Sequence, residues 1–244
     1  YAPHNLAHLL VGSEGTLAIF TKITLKTVPV PASKGLLQLE FESLEKMARA
    51  VPTIVDTGVT TCELMDNRLI NMAFKALPEY RDILPADAAA VLLIEHVGKT
   101  QEEVKKKIEQ TDAAVGKLAR GRSVFLDPRQ QKRLWKCRKD AGPLLYQQRR
   151  KEHPAEFMED VSVDYRRLED YIIGLLEIGR KYDIEISFFG HDGDGELHSR
   201  PLLDLSEPKD VEKMRAIAND VFALAWSLGG SISGEHADGL VRAA

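Results

Sequence analysis

The chain has 244 residues, of which 44% are hydrophobic, and its 33 basic and 37 acidic side chains give a formal net charge of −4. A chain of this length can bury about 70% of its unfolded surface, so it can form one large domain or two small ones. The balanced charge argues against a nucleic-acid partner, because the one basic run, at residues 147–151, is typical of a solvated helix end.

The first clear boundary is the stretch 28–33, where two alternating prolines force an extended connection. Residues before this stretch are expected to belong to a different unit. After it, Leu37, Leu39 and Phe41 alternate with polar residues, which predicts a strand with one solvent-exposed face.

The remaining predicted elements repeat a strand, helix, strand order. A capping box at Thr100 and Glu103 begins one helix, and Ser206 is expected to cap the helix that starts near Pro208. The other predicted ranges are a helix at 43–56, strands at 60–64, 90–94 and 123–126, a helix at 129–150, a strand at 156–163, a helix at 165–181 and a strand at 185–189. This order predicts an α+β fold in which helices cover one side of an antiparallel sheet built from ferredoxin-like units.

Two clusters near the C-terminus carry the chemistry, residues 190–198 (GHDGDGELH) and residues 234–236 (GEH). Together His191, His198 and Glu235 supply two imidazoles and a carboxylate, a ligand set for a divalent metal. His236 is a spare imidazole that can act as a base. Glycines between His191 and His198 can adopt positive φ and turn both rings to the same side.

These clusters resemble the C-terminal part of the FAD-linked oxidases of the vanillyl-alcohol oxidase superfamily, the branch that holds D-lactate, glycolate and D-2-hydroxyglutarate dehydrogenases. The opening residues 10–21 resemble the end of that superfamily's FAD-binding domain. The resemblance implies that the flavin lies against Gly12, Ser13, Glu14, Gly15 and Thr16.

The same resemblance implies a division of the chain into two regions. Residues 1–33 are expected to be the C-terminal remnant of an FAD-binding domain, and residues 34–244 a substrate or cap domain truncated at its C-terminus. The chain is therefore interpreted as a fragment that is inactive alone. Its expected partners are a 2-hydroxy acid, the missing FAD domain and, as an open alternative, an iron–sulfur domain or subunit.

For the site, the resemblance implies that His191, His198 and Glu235 bind zinc, iron(II) or manganese, and that His236 is the general base. The expected reaction is oxidation of a D-2-hydroxy acid, of the lactate, glycolate or hydroxyglutarate type, to the 2-oxo acid. Arg138 matches the family's Trp-x-x-Arg, whose arginine binds the substrate carboxylate. Because Glu235 lies near the end of the sequence, it is expected to sit in an unanchored tail.

Three positions depart from the family pattern. Glu196 replaces the usual asparagine, so it adds a negative charge that can become a fourth oxygen ligand or change substrate preference. Ala237 replaces a glycine. Arg200 stands where hydroxyglutarate-type members have another asparagine, so it either binds a second substrate carboxylate or faces solvent.

Two alternatives remain open from the sequence: a zinc hydrolase that uses the same ligands, and a non-catalytic binding domain stabilised by a metal. Two cysteines, Cys62 and Cys137, are too few for a disulfide framework. No apolar run approaches the roughly 18 residues of a membrane span. We therefore expect a cytoplasmic protein, with peripheral membrane association left open.

Overall fold

A computed structural model of the chain describes residues 5–146, 151–237 and residue 239. In chain order the helices and strands are α1 (Ala7–Leu10), β1 (Ser33–Phe41), α2 (Leu44–Val55), β2 (Thr61–Asp66), α3 (Asn67–Ala76), β3 (Ala90–Gly98), α4 (Gln101–Val115), β4 (Gly121–Phe125), α5 (Pro128–Tyr146), β5 (His153–Pro154), β6 (Val161–Ser162), α6 (Leu168–Tyr182), β7 (Ile186–His191), β8 (Glu196–Leu203) and α7 (Pro208–Ser227). A 3₁₀ turn, Asp192–Asp194, connects β7 to β8.

The described strands form one sheet in the order β4-β1-β3-β2-β7-β8-β5, and β6 also pairs with β8. All of the described pairings are antiparallel. The unit from β1 to β4 runs strand, helix, strand, strand, helix, strand, with α2 and α4 as its crossovers and α3 inserted between β2 and β3. This is the ferredoxin-like arrangement, so the predicted α+β fold class is confirmed.

Apolar side chains fill both faces of the sheet. Leu37, Leu39 and Phe41 belong to the larger core, which packs against α2, α4, α6 and α7. The opposite face of β1 was predicted to be exposed to solvent, and this was wrong: Gln38 is only 2% exposed. The reason is a second core, in which α3 and α5 cover Leu36 and its neighbours on β2 and β3. Helices therefore cover both sides of the sheet.

Side-chain caps explain where several helices begin. The Thr100 hydroxyl accepts the Glu103 N–H at 3.2 Å, so the predicted cap is confirmed, but the Glu103 carboxylate accepts the N–H of Lys99, at 2.9 Å, rather than that of Thr100 as a capping box requires. Ser206, by contrast, does not cap α7. Its hydroxyl donates instead to Asp204, 2.5 Å away, and α7 begins without a side-chain cap.

The strand predicted at 156–163 forms only at Val161–Ser162, and a second short strand, His153–Pro154, lies just before the predicted range. Between them Glu159 and Asp160 turn inward and are fully buried, which interrupts the ladder. The predicted helix at 129–150 is confirmed as far as Tyr146. Its last four predicted residues, with most of the basic run, lie outside the described residues, as does the sequence end at 240–244.

Residues 5–32 form an extended segment with one short helix, α1, and none of them is buried. Ile19 is 91% exposed and Val30 is 90% exposed. The boundary predicted at 28–33 coincides with the point where the buried core begins, although the assignment of 1–33 to a separate domain stays a prediction. No helix in the described part of the chain is both long and apolar enough to cross a membrane.

Candidate metal centre

The β7–β8 hairpin places the predicted ligands on one face of the sheet. His191 pairs with Glu196, and Phe189 pairs with His198. Residues directly opposite in an antiparallel pair point to the same side, and so do residues two apart on a strand. His191, Glu196 and His198 therefore converge. A second strand, β8, rather than a loose glycine turn, brings the two rings together.

Gly195 makes this tight hairpin possible. Its φ is +72°, a left-handed conformation that favours glycine, and a Cβ at this position would lie 1.9 Å from the carbonyl oxygen of Val163. The hairpin therefore closes against the segment that follows β6. Of the glycines between the two histidines, only Gly195 uses the predicted positive φ.

The convergent side chains form a compact group of possible ligands. One nitrogen or oxygen from each of His191, Glu196, His198 and Glu235 lies within 4.8 Å of all the others. Glu235 Oε1 is 3.4 Å from His191 Nε2 and 3.6 Å from His198 Nε2. The structure thus brings together all three residues that the sequence predicted as metal ligands. That they bind a metal stays a prediction.

Glu63 on β2 orients the first histidine. Its carboxylate is buried and lies 2.8 Å from His191 Nδ1, which leaves Nε2 directed towards Glu235. The hydrogen bond to Glu63 raises the pKa of His191 to about 9, although burial opposes the shift. A metal ion at Nε2 would have to displace the proton that the ring otherwise holds.

The second histidine is fixed by a backbone carbonyl. His198 Nδ1 lies 3.2 Å from the carbonyl oxygen of Glu159, which can only accept, so Nδ1 carries the hydrogen. Nε2 is therefore free to act as a ligand. The ring is 5% exposed and packs 4.9 Å from the ring of Phe189, so its orientation is constrained on several sides.

The loop at 233–236 is anchored by Asp160, so the expectation of an unanchored tail was wrong. The Asp160 carboxylate accepts the Ser233 hydroxyl and the backbone N–H groups of Gly234, Glu235 and His236, at 2.8 to 3.1 Å. Burial raises the pKa of this carboxyl, but those hydrogen bonds outweigh it and hold the pKa below its usual range. The loop is also tied to β6 by pairing between Ser162 and Ser231.

His236 lies beside the ligand group rather than within it. Its ring stacks on that of His198, with centroids 5.1 Å apart, and its Nε2 is 3.2 Å from Glu235 Oε1. Its side chain is 35% exposed, so the ring borders solvent. The next residue, Ala237, has a φ of +58°, a left-handed conformation that costs an alanine more than the glycine usual there.

Both predicted substrate-binding arginines contact Phe189. The guanidinium of Arg138, on α5, lies 5.0 Å from the ring centroid, and that of Arg200, on β8, lies 5.3 Å from it. Arg138 also lies 3.1 Å from a carboxylate oxygen of Glu63. Arg200 pairs with Glu156 and is 7% exposed, so it does not simply face solvent. Their binding of a substrate stays a prediction.

The predicted flavin contact, Gly12 to Thr16, is an exposed turn. Gly12 and Gly15 have φ values of +77° and +76°, and a Cβ at either would meet no described atom within 4 Å. Thr16 closes the turn by donating its hydroxyl to the Ser13 carbonyl at 2.6 Å. Glu14 accepts the Gly239 N–H at 2.6 Å, which links this segment to the region just after His236.

Sequence reasoning missed the residues that support the site. Glu63, Glu159 and Asp160 belong to segments far from the histidine clusters, and none lies in a recognisable motif. One signal was available for Glu63, because it is a carboxylate within the apolar stretch Thr61–Asp66, where an inward charge needs a partner. No comparable pattern identifies Asp160.

Residues 30–244 match the family described as FAD linked oxidases, C-terminal domain. The chain belongs to this family, as the paired motifs predicted. This membership favours the oxidase interpretation over the zinc hydrolase and the non-catalytic binding domain.

Several characterised relatives align over nearly the whole chain. The glycolate oxidase subunit GlcD of Bacillus subtilis is 32% identical, over 99% of this chain and 50% of that protein. The D-lactate dehydrogenase of Archaeoglobus fulgidus is 30% identical, over 98% of this chain and 51% of that protein. The D-2-hydroxyglutarate dehydrogenase of Pantoea ananatis is 27% identical, over 96% of this chain and 24% of that protein. The chain thus spans between a quarter and a half of the length of these relatives.

Solved structures share the fold at low sequence identity. The 4-ethylphenol oxidase from Gulosibacter chungangensis aligns with a TM-score of 0.59 at 11% identity, over 84% of this chain and 46% of that one. An alkyldihydroxyacetonephosphate synthase aligns with a TM-score of 0.55 at 15% identity, over 96% of this chain and 46% of that one. These likenesses support the architecture of the sheet and its covering helices.

Proposed function

We propose that this chain is the substrate- and metal-binding part of an FAD-dependent dehydrogenase that oxidises a D-2-hydroxy acid to the 2-oxo acid. The observation that carries the proposal is the convergence of His191, His198 and Glu235, with His236 stacked beside them. The relatives named for glycolate, D-lactate and D-2-hydroxyglutarate supply the substrate class, since each of these molecules is a 2-hydroxy acid.

The donor set fits a divalent metal. Nε2 of His191 and of His198 face the same carboxylate, and each Nδ1 is engaged by another group, so both Nε2 atoms are directed inward. An ion held there would supply positive charge that attracts a hydroxy-carboxylate and lowers the pKa of its hydroxyl. Zinc, iron(II) and manganese all accept nitrogen and carboxylate ligands of this kind.

His236 is suited to take the proton from the substrate hydroxyl. It borders solvent beside the ligand group, where an imidazole can act as a general base. Its Nδ1 lies 3.8 Å from a Glu159 oxygen and 3.9 Å from an Asp160 oxygen. These buried carboxylates stabilise the ring after it becomes positively charged. Bound FAD would supply the acceptor for the hydride that leaves the substrate α-carbon.

The two arginines would set the orientation of the bound substrate. Arg138 and Arg200 flank Phe189, which packs on His198, so both positive charges lie on the ligand side of the sheet. We assign the substrate carboxylate to Arg138, whose planar fork can engage it alongside Glu63. Arg200 would engage a second carboxylate only in competition with Glu156.

The chain would act with a flavin-binding region to which residues 1–33 contribute. The open backbone at Gly12 and Gly15 fits a segment that lies against a flat group, and Glu14 joins that segment to the loop beyond His236. An iron–sulfur domain or subunit would then take electrons from the reduced flavin. A cytoplasmic location fits the two buried free cysteines.

The test separates the base from the ligands in a flavin-loaded protein that contains this chain. His236→Ala should slow flavin reduction by a D-2-hydroxy acid by about 10²–10⁴-fold while metal content stays stoichiometric. His191→Ala should lose the metal first. Rapid-mixing absorbance measures the reduction, elemental analysis measures the metal, and His153→Ala, an exposed histidine on β5, is the matched control. Reduction of the His236→Ala flavin at the unmodified rate, with metal retained, would contradict the proposed base.

A further inference from the structure

Glu196 is a buried carboxylate that faces the proposed metal ligands and accepts no hydrogen bond from the residues that the structure describes. The residue is 5% exposed, and neither of its carboxylate oxygens has a hydrogen-bond partner among the described residues. Leaving a buried charge unpaired is costly. A cation placed among the convergent ligands would remove that cost.

The backbone directs this carboxylate into the site. Glu196 is the first residue of β8, pairs with His191 across the hairpin, and lies two residues before His198 on the same face. The anchored loop holds it from the other side, because an added Cβ at Gly234 would come within 2.9 Å of Glu196 Cγ. Its position is therefore fixed by two elements.

A role limited to orienting His198 accounts less well for these contacts. Glu196 Oε1 lies 3.0 Å from His198 Nδ1, but outside hydrogen-bond geometry. The hydrogen on Nδ1 is already directed to the carbonyl of Glu159. Orientation of the ring therefore does not require Glu196.

Resting on the proposed function, we propose that Glu196 is a fourth protein ligand, and that with this set the ion that keeps positions open for the substrate is a six-coordinate ion of the Mn²⁺ or Fe²⁺ class rather than zinc. Two imidazoles and two carboxylates would complete the tetrahedral shell that zinc prefers, which is typical of a closed structural site. An octahedral ion with the same four ligands keeps two open positions. Those two positions match a 2-hydroxy acid that chelates through its carboxylate and hydroxyl oxygens.

The experiment titrates the 244-residue chain with MnCl₂ and separately with ZnCl₂, comparing the unmodified protein, Glu196→Gln and Glu109→Gln. Glu109 is an exposed carboxylate on α4, so its variant controls for the loss of one charge. Glu196→Gln should weaken Mn²⁺ binding by more than about 100-fold, beyond the 10–100-fold typical of groups outside the coordination shell. Zinc binding should also weaken, because the same carboxylate would complete the tetrahedral shell of zinc.

Cobalt substitution gives a second readout that a purely structural role would not change. The Co²⁺ absorption spectrum of the unmodified chain should be that of a six-coordinate ion, and Glu196→Gln should alter it. An unaltered spectrum, or Mn²⁺ binding by Glu196→Gln that is no weaker than that by Glu109→Gln, would overturn the fourth ligand while leaving the proposed function in place. Absence of stoichiometric metal binding by the unmodified chain would overturn both. If Glu196→Gln fails to fold, Glu196→Asp applies the same test, since it withdraws the carboxylate by one methylene.

Discussion

At the scale of single residues, buried carboxylates outside the histidine motifs determine the geometry of the site. Glu63 fixes the ring of His191, and Asp160 holds the loop that carries Glu235 and His236. Each satisfies several donors, as a buried charge must. The sequence identified the candidate ligands and the candidate base because their types and spacing are unusual. It did not identify these supports, because their partners are more than 70 positions away.

Replacing Asp160 tests its anchoring role. Asp160→Asn keeps the shape but substitutes an amide NH₂ for one oxygen that accepts from the loop, so one or more donors lose their partner. We expect metal affinity to fall by about 10–100-fold and the free energy of unfolding to fall by about 1–3 kcal/mol. Calorimetric metal titration and urea unfolding measure the two effects. The control is Asp164→Asn, which alters an exposed turn nearby and should leave metal affinity unchanged. Equal losses of metal affinity in both variants would contradict the anchoring role of Asp160.

The contribution of Asp66 to the stability of the protein should depend on pH. Burial raises the pKa of this carboxyl to about 6, despite hydrogen bonds from the backbone of Leu69 and Phe188. Because the folded pKa exceeds the unfolded value, the contribution is fully present below about pH 4 and is lost as the pH rises through 6. The free energy of unfolding of the unmodified chain, minus that of Asp66→Asn, should fall by about 2 kcal/mol between pH 4 and 6.5. A difference that is constant with pH would refute the shift.

The contribution of His96 to stability should change with pH in the opposite direction to that of Asp66, between pH 4 and 6.5. Burial lowers its pKa to about 4, and the positive charge of Lys107 adds to the shift. Its contribution is therefore present above about pH 6.5 and is lost as the pH falls through 4. Unfolding free energies of the unmodified chain minus those of His96→Gln should rise from pH 4 to 6.5. A falling difference would show that the ring is charged in the folded protein.

At the scale of elements, local patterns predicted most helices and the first strands, whereas β8 and α3 were missed. Helices such as α4 combine a capping side chain with an apolar stripe, so both signals agree. Residues 196–203 contain charged and polar side chains that normally indicate a loop. They form a strand because the hairpin pairs them with β7 and because His198 and Arg200 find partners in Glu159 and Glu156. Such long-range compensation cannot be read from local sequence.

Replacing Gly195 tests whether the β7–β8 hairpin depends on its close approach to the backbone of Val163. Gly195→Ala would place a Cβ 1.9 Å from a carbonyl oxygen, whereas Gly58→Ala has a similar φ of +77° and open space. The control variant should lose only the roughly 1–2 kcal/mol of left-handed strain. Gly195→Ala should lose several kcal/mol more, or fail to fold, and should lose metal binding. Equal destabilisation in urea unfolding would show that the contact with Val163 is relieved by a small shift.

At the scale of the whole molecule, the ferredoxin-like unit supports an added hairpin that carries the site. The order of strands and helices was sufficient to predict the unit, since few topologies satisfy it. The covering of the second face was not predicted, because α3 was missed and local sequence does not show against which face of the sheet α5 packs. The exposed segment 5–32 contributes apolar side chains to neither core.

Removal of residues 1–30 should therefore leave the stability of the core nearly unchanged. None of the described residues 5–30 is buried, and the contact between Glu14 and Gly239 lies on the surface. We expect the free energy of unfolding of the shortened chain to stay within about 1 kcal/mol of the full chain. Thermal unfolding followed by circular dichroism measures this. A fall in Tm of more than about 5 °C would indicate that the segment packs on the core.

The most direct test of the central claim is flavin reduction in a flavin-loaded protein that contains this chain, before and after metal removal. The protein would be mixed anaerobically with a D-2-hydroxy acid, once as isolated, once after chelation and once after one equivalent of Mn²⁺ or Zn²⁺ is restored. Rapid reduction should disappear with the metal and return with it, because substrate binding at His191, His198 and Glu235 depends on the ion. Reduction at an unchanged rate in protein shown to be metal-free would contradict the account.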